Sequence, residues 1–215
     1  MLYSKKSIII VLFIITLLIP TITYSQLIKH FGIKSGISNS WQTYEAWEYG
    51  ETKNSGNKMG PNFSVYADWL DNSFFSFITE INYSSKGMKA PYLTGYIIEE
   101  EKLNYLSFAI LPNVYTNLGN IKIYALVGPR IEFLVSSSIN TNAPIYIHNE
   151  IINEFNKYEK TSYGLLIGIG FKLNNIFPVI IGIEARYNKD LSNLYEVSYL
   201  KIKNNSIDLL LTAEI

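Results

Sequence analysis

The sequence predicts an all-β protein: an eight-stranded, antiparallel, up-and-down transmembrane β-barrel preceded by a signal peptide. Three observations predict it. Eight segments alternate apolar and polar residues with period 2, the mark of a strand with two different faces. Most of them reach the ~9–11 residues that a tilted membrane-spanning strand needs, well beyond the ~5–6 usual in soluble proteins. The connections then run long, short, long, short, long, short, long. A membrane barrel has reason to keep that rhythm, because its turns inside the cell envelope are short and its outward loops are longer. After residue 26 there is no helix-period stripe and no low-complexity tract.

Residues 1–25 read as a secretory signal peptide. Lys5 and Lys6 form a basic start, Ile8 to Ile19 an apolar run, Pro20 breaks it, and Thr23-Tyr24-Ser25 supplies a small residue at the cut. The apolar run is too short to span a bilayer, which takes ~20 residues. Gln26 is then the mature N-terminus, and residues 26–215 form one barrel domain. Without the two leader lysines the chain carries 16 basic against 18 acidic residues. That near balance argues against a nucleic-acid partner, which calls for a basic face. There is no cysteine, so disulfide frameworks and thiolate chemistry are excluded. The 17 tyrosines and 11 phenylalanines suit strands and the aromatic belts of a membrane barrel.

The first strand covers about Leu27–Ser38, with Phe31, Ile33 and Ile37 opposite His30, Gly32, Lys34 and Gly36. The second covers about Met59–Leu70, with Phe63, Val65 and Trp69 opposite Asn62, Ser64, Tyr66 and Asp68. Asp71-Asn72-Ser73 is a tight turn into the third strand, about Phe74–Ser84, where Phe75, Phe77 and Ile81 oppose Ser76, Glu80 and Asn82. The fourth covers about Lys102–Tyr115, and Asn117-Leu118-Gly119-Asn120 turns the chain into the fifth, about Ile121–Val135. There Ile123, Val127 and Ile131 oppose Lys122, Tyr124, Arg130 and Glu132. The sixth, about Ser162–Asn174, sets Tyr163, Leu165, Ile167, Ile169 and Phe171 against Gly164, Gly168, Gly170 and Lys172. A turn closed by Pro178 leads to the seventh, about Val179–Asn188, with Ile181 and Ile183 opposite Glu184 and Arg186. The eighth, Asn205–Ile215, sets Ile207, Leu209 and Leu211 against Asp208, Thr212 and Glu214. The long connections are then 39–58, 85–101, 136–161 and 189–204. An even strand count puts both termini on the short-turn side, which is the periplasm.

Which face points inward separates a membrane barrel from a soluble one. The polar face is rich in glycine (Gly32, Gly36, Gly128, Gly164, Gly168, Gly170, Gly182). Exposed to solvent, glycine only weakens a strand; inside a narrow barrel it makes room for large neighbours. That face also carries Lys34, Lys122, Arg130, Lys172 and Arg186 against Asp68, Glu80, Glu132, Glu184, Asp208 and Glu214. An eight-stranded interior is just wide enough for side chains to fill it. The expectation is a plugged lumen laced with ion pairs, its apolar face against outer-membrane lipid. A soluble exported barrel holding a small ligand would need the opposite orientation.

Residues that could carry chemistry are few. His30 sits at the start of the first strand, and His148 in the third long loop beside Asn149 and Glu150. Neither has a serine and an acid at recognisable spacing, so neither is read as catalytic. Glu99-Glu100-Glu101 lacks the spaced pattern of a calcium loop and reads as a solvated loop tip. No phosphate-cradling loop or zinc spacing occurs, and no cofactor or metal is expected. Trp41, Tyr44, Trp47 and Tyr49 in the first long loop read as an interfacial girdle or a recognition surface. Ile147, Ile151, Ile152 and Phe155 give the third loop an apolar side that could cover the mouth or meet a partner.

The segments GIKSG (32–36), INYSSKGMK (81–89), YLSFAILPNVY (105–115), IYALVGPRIEFLVSS (123–137), YGLLIGIGFKL (163–173), IGIEARYNKDLSNL (181–194) and SIDLLLTAEI (206–215) together resemble the PorT-like outer-membrane β-barrel proteins. Ala109 departs from that pattern where proline is frequent, and Ile215 where many outer-membrane proteins end in an aromatic. The resemblance implies an eight-stranded barrel of the Gram-negative outer membrane. For the namesake it implies service to gliding-associated (type IX) protein secretion. The functional expectation is a monomeric, non-enzymatic barrel with an envelope-structural or partner-binding role through its long loops. The alternatives are an accessory secretion component, meeting envelope or secretion-machinery proteins, and an outer-membrane lipid-modifying enzyme.

Overall fold

The computed structural model describes residues 28–46, 51–70, 72–89, 98–141, 157–174, 178–198 and 200–215. The signal segment 1–25 and Gln26 lie outside the described residues. Ten strands form among the described residues: β1 (Ile28–Ala46), β2 (Glu51–Asn54), β3 (Lys58–Trp69), β4 (Phe75–Lys89), β5 (Ile98–Leu118), β6 (Ile121–Thr141), β7 (Thr161–Leu173), β8 (Ile180–Asp190), β9 (Tyr195–Val197) and β10 (Leu200–Glu214). All pairings are antiparallel, and β1 pairs with both β3 and β10. The ring β1-β3-β4-β5-β6-β7-β8-β10 is therefore closed by eight strands, in chain order. Two short strands stand outside it. β2 prolongs the β3 edge along β1 (Thr43↔Asn54 to Ala46↔Glu51), and β9 prolongs the β8 edge along β10 (Leu200↔Val197 to Ile202↔Tyr195).

The wall alternates as the sequence pattern requires. Along β7, Tyr163, Leu165, Ile167, Ile169 and Phe171 face outward, while Gly164, Leu166, Gly168 and Lys172 are buried inside. The outward side chains make a continuous apolar band; Ile169 is 64% exposed and Leu211 65%. Two aromatic groups border it. Trp69, Phe75 and Phe77 stand at the short-turn end, with Phe75 and Phe77 edge to face at 4.8 Å. At the other end Trp41 and Tyr187 stack at 6.4 Å across β10. Inside, Gly32 lies beneath the Tyr66 ring and Gly170 beneath Tyr124. A Cβ at either glycine would occupy the ring's own space, which is why these strands can carry glycine.

The strands run further than the alternation indicates. β1 continues to Ala46, β4 to Lys89 and β6 to Thr141; β5 starts at Ile98 and β10 at Leu200. Much of what the pattern assigns to the long connections 39–58, 85–101, 136–161 and 189–204 is paired backbone. The reason is a change of phase. In β5 the apolar residues Leu106, Phe108 and Ile110 face outward, but one turn of pleat further on Lys102 and Asn104 face outward while Leu103 and Tyr105 are buried. β10 does the same, with Ile202 buried between half-exposed Lys201 and Lys203. Beyond the band the outer surface meets water and the interior becomes apolar, so a single-phase reading ends each strand too early.

The short connections obey turn chemistry. Gly119 has φ 62° in the two-residue link between β5 and β6, as a type II′ hairpin turn asks of its first residue. Between β3 and β4, Leu70 has φ 53°, which a Cβ makes costly. Replacing it tests that strain. Leu70→Gly removes about 1–2 kcal/mol of steric cost at an entropic cost of about 0.5–1 kcal/mol. The variant should be more stable by up to about 1 kcal/mol in urea unfolding from phospholipid vesicles; lower stability would show the turn to be relaxed.

Candidate functional site

The interior is the part of this chain with concentrated chemistry, and parity builds it. Every second residue of each ring strand projects inward, so the charged residues of the polar face converge on one axis. In the middle of the barrel Arg186 from β8 makes a bidentate contact with Glu80 from β4, at 2.5 and 2.6 Å, and also binds Glu184 on its own strand. Lys34 from β1 lies 3.0 Å from both Glu80 and Glu184. Tyr124 donates to Glu184 at 2.6 Å. Two cations and two carboxylates from three strands of the ring thus neutralise one another, each with at least two partners.

Toward the short-turn end, Lys172 binds Glu214, whose carboxylate also accepts from the Tyr66 hydroxyl at 2.6 Å. His30 Nδ1 stands 3.8 Å from the same carboxylate. Lys122 sits 3.7 Å from the Tyr115 ring centre, a cation–π geometry that suits a desolvated ammonium. Asp68 is fully buried, with Ser76 beside its carboxyl and the charges of Lys172 and Lys122 acting on it. Toward the long-connection end, Asp208 accepts from Asn62 at 3.0 Å, Asn188 at 2.6 Å and Ser206 at 3.0 Å. Above it Arg130 bridges Glu132 and Asp190, and Lys86 holds Glu132 at 2.7 Å.

All eleven charged residues that the alternation assigns to the lumen are buried in it. Lys86 and Asp190 join them, although the pattern ends their strands at Ser84 and Asn188. Parity carried two residues further finds both. The void between these tiers, lined by Glu80, Asn82, Lys86, Arg130, Arg186 and Asp208, measures about 10 Å³, room for about one water molecule.

The aromatic and acidic residues of the long connections have different places. Trp41 and Tyr44 belong to strand β1: Trp41 lies on the outer wall against Tyr187, and Tyr44 turns into the mouth. Trp47 and Tyr49 lie outside the described residues, as do His148, Ile147, Ile151, Ile152 and Phe155. The acidic run 99–101 is no solvated loop tip. It starts β5, so alternation sends Glu100 to Lys58 at 3.4 Å and Glu101 inward, fully buried. Glu101 accepts from Gln42 Nε2 at 2.7 Å and from the Tyr158 hydroxyl at 3.3 Å. Leu103, Tyr105, Leu194 and Ile202 close over this point, joined by Tyr44, Leu134, Ile139, Tyr158, Tyr195 and Leu200. Burial pushes the Glu101 carboxyl up to about 7, against the opposing pull of its two hydrogen bonds. Among the described residues, no three of His, Cys, Asp and Glu come together as metal ligands.

Comparison with known proteins agrees with this geometry. The family model described as outer membrane protein beta-barrel domain matches residues 25–196, and the chain belongs to that family. No curated protein matches it in sequence. Among solved structures it is similar to the outer membrane protein OprG from Pseudomonas aeruginosa, with a TM-score of 0.51 at 10% identity, covering 88% of this chain and 97% of that one. Neisserial surface protein A matches at a TM-score of 0.44 and 15% identity, covering 87% and 98%. The outer membrane enzyme PagL matches at 0.41 and 13%, covering 83% and 98%. At these identities the OprG likeness shows the barrel fold, and nothing about activity.

The central charge cluster makes a quantitative demand. Arg186→Met leaves Glu80 and Glu184 with Lys34 as their shared cation, and removing one partner of a buried network costs about 3–5 kcal/mol. Lys203→Met breaks a half-exposed pair with Glu45 and should cost under about 1 kcal/mol. Urea unfolding from vesicles measures both; equal effects would show that the lumen charges are solvated.

Proposed function

From that membership we infer a non-enzymatic outer-membrane barrel, monomeric and non-conducting, with an envelope-structural or partner-binding role. Its long-connection end faces the cell exterior and both termini lie in the periplasm. What carries this reading is the lumen. Ion pairs and buried side chains fill it from Lys172 to Lys86, and the central void holds about one water. An eight-stranded barrel is just wide enough inside for side chains to fill it.

Orientation follows from the connections. The links β3–β4, β5–β6 and β7–β8 are short, and short turns belong to the periplasmic side. The opposite ends of β1, β5, β6 and β10 pass beyond the apolar band with polar residues outward, so they stand in water. A partner in the envelope or outside it meets these extensions first. The PorT-like segments support a second reading, an accessory component of type IX secretion; loss of secreted cargo on deletion of the gene would favour it.

The primary reading is tested in planar lipid bilayers. The purified full chain should give no steady conductance at moderate voltage, and Arg186→Ala with Glu80→Ala should create small openings. A wild-type pore that passes ions continuously would overturn the filled-lumen reading.

A further inference from the structure

The register aligns one row of outward positions across four strands: Trp41 on β1, Asn205 on β10, Lys189 on β8 and Leu165 on β7. Below that row, toward the short turns, the outward side chains of β10, β8 and β7 are apolar, beginning with Ile207, Tyr187 and Ile167. Above it, those of β1 and β10 are polar: Thr43, Glu45, Lys203 and Lys201. The row therefore marks the edge of the hydrocarbon. Trp41 and Tyr187 stack across it, and Asn205, buried beside them, donates to Thr43 Oγ1 at 3.0 Å. Lys189 is exposed in the same row.

The lysines just above this edge on β10 have acids. Lys203 binds Glu45 at 3.0 Å and Lys201 binds Glu196 at 2.8 Å. Lys189 has no acid within ion-pair reach among the described residues. An ammonium at this level, on a stem long enough to lift it among the headgroups, attracts anionic lipid. Further down the same four strands the wall is hollowed. Six residues below each member of the first row (189 to 183, 205 to 211) stand Ser35, Leu211, Ile183 and Phe171. The small side chains of Ser35 and Ala213 leave a groove of about 460 Å³ there, walled by Ile181, Ile183, Phe171 and Leu211. At ~3.3 Å per residue and a tilt of ~40°, this second row lies about 15 Å below Lys189. That is half of a ~30 Å hydrocarbon core, the depth an acyl chain reaches from its own headgroup.

We propose that this face of the wall seats one phosphorylated lipid, its phosphate on Lys189 and an acyl chain in the groove over Ser35 and Ala213. The lone ammonium supplies a point charge that suits a phosphate, and a zwitterionic headgroup would bring a cation of its own to the same place. The apolar rows between, Ile207 with Tyr187 and Leu209 with Ala185, give the chain a continuous path from the headgroup to the groove. With the long-connection end outward, the lipid belongs to the outer leaflet. That assignment rests on the orientation proposed above; the site itself needs neither that orientation nor a filled lumen.

Native mass spectrometry of the purified full chain, released from detergent micelles loaded with diphosphorylated lipid A, tests the site without regard to orientation. The wild type should retain one lipid and lose the dephosphorylated form. Lys189→Gln should lower retention about fivefold, the worth of one lysine at an anionic surface. Lys102→Gln, which removes an exposed lysine just above the same edge on β5, should leave retention unchanged. Ala213→Phe fills the groove and should lower retention with Lys189 in place, and excess inorganic phosphate should not displace the lipid. Equal retention of the dephosphorylated form, full retention by Lys189→Gln, or an equal loss in Lys102→Gln would each overturn the site. Full retention by Ala213→Phe, or displacement by inorganic phosphate, would show an anion contact without a seated chain and overturn it too.

Discussion

The pairing of β1 with β10 turns a curled sheet into a ring, and the other features of the molecule follow from that closure. In hydrocarbon there is no water to satisfy an open strand edge, and each unmet peptide group costs several kcal/mol. The seam runs without interruption from Gly32↔Glu214 to Ala46↔Leu200, so no edge faces the lipid along it. Gly36 sits in this seam, where a Cβ would run into the Leu209 carbonyl. The close approach of the first and last strands thus depends on a residue without a side chain.

Closure with eight strands leaves an interior of fixed width, and the chain fills it with a mixture that water would ordinarily dissolve. Tyr66 and Tyr124 occupy the space above Gly32 and Gly170, and their hydroxyls reach Glu214 and Glu184. Large rings against glycine set the tilt of the side chains, and the acids then find cations from across the barrel. Buried ion pairs are weak sources of net stability, because desolvation takes back most of what attraction supplies. Their value here is registry. A strand shifted by one residue would carry Arg186 or Glu80 to the lipid face, where a midplane arginine costs about 2–4 kcal/mol. The charges penalise wrong pairings more than they stabilise the right one.

The same alternation explains what could be read from residues alone. Phe31, Ile33 and Ile37 against Lys34 and Gly36 give the face assignment of β1 directly, and the closed ring follows from eight such segments with an even count. The lumen residues were legible because parity is a strict rule. Strand length was not, since β5 and β10 reverse their apolar phase at Tyr105 and Ile202, and a reversal looks like an ending. Lys86 and Asp190 lie beyond that apparent ending, and Glu101, in a run of three glutamates, has the local pattern of a solvated loop although it is buried on β5. Tyr158 carried no pattern at all. It reaches Glu101 through a tertiary fold of the β6–β7 connection, a contact that local spacing does not encode.

The phase reversal also says where the molecule changes solvent. Below Tyr105 the outward positions of β5 are apolar (Leu106, Phe108, Ile110), against lipid; above it the outward positions are polar, and the apolar side chain of Leu103 lies inside, against its neighbours. The two rules have one cause, the exclusion of apolar surface from water, and they meet at the membrane boundary. A polar group facing inward is ordinary below that boundary, where ion pairs share the lumen with a smaller apolar cluster around Ile78, Leu111 and Leu126. Above it, the same group is surrounded by Leu103, Leu194 and Ile202. Glu101 is on the same inward parity as Glu80 and Glu132 yet lies in the opposite environment. Glu132, the nearer of those two to the mouth, has Lys86 and Arg130 as partners, while Glu101 has an amide and a phenol. The distinction is one of position along the barrel axis.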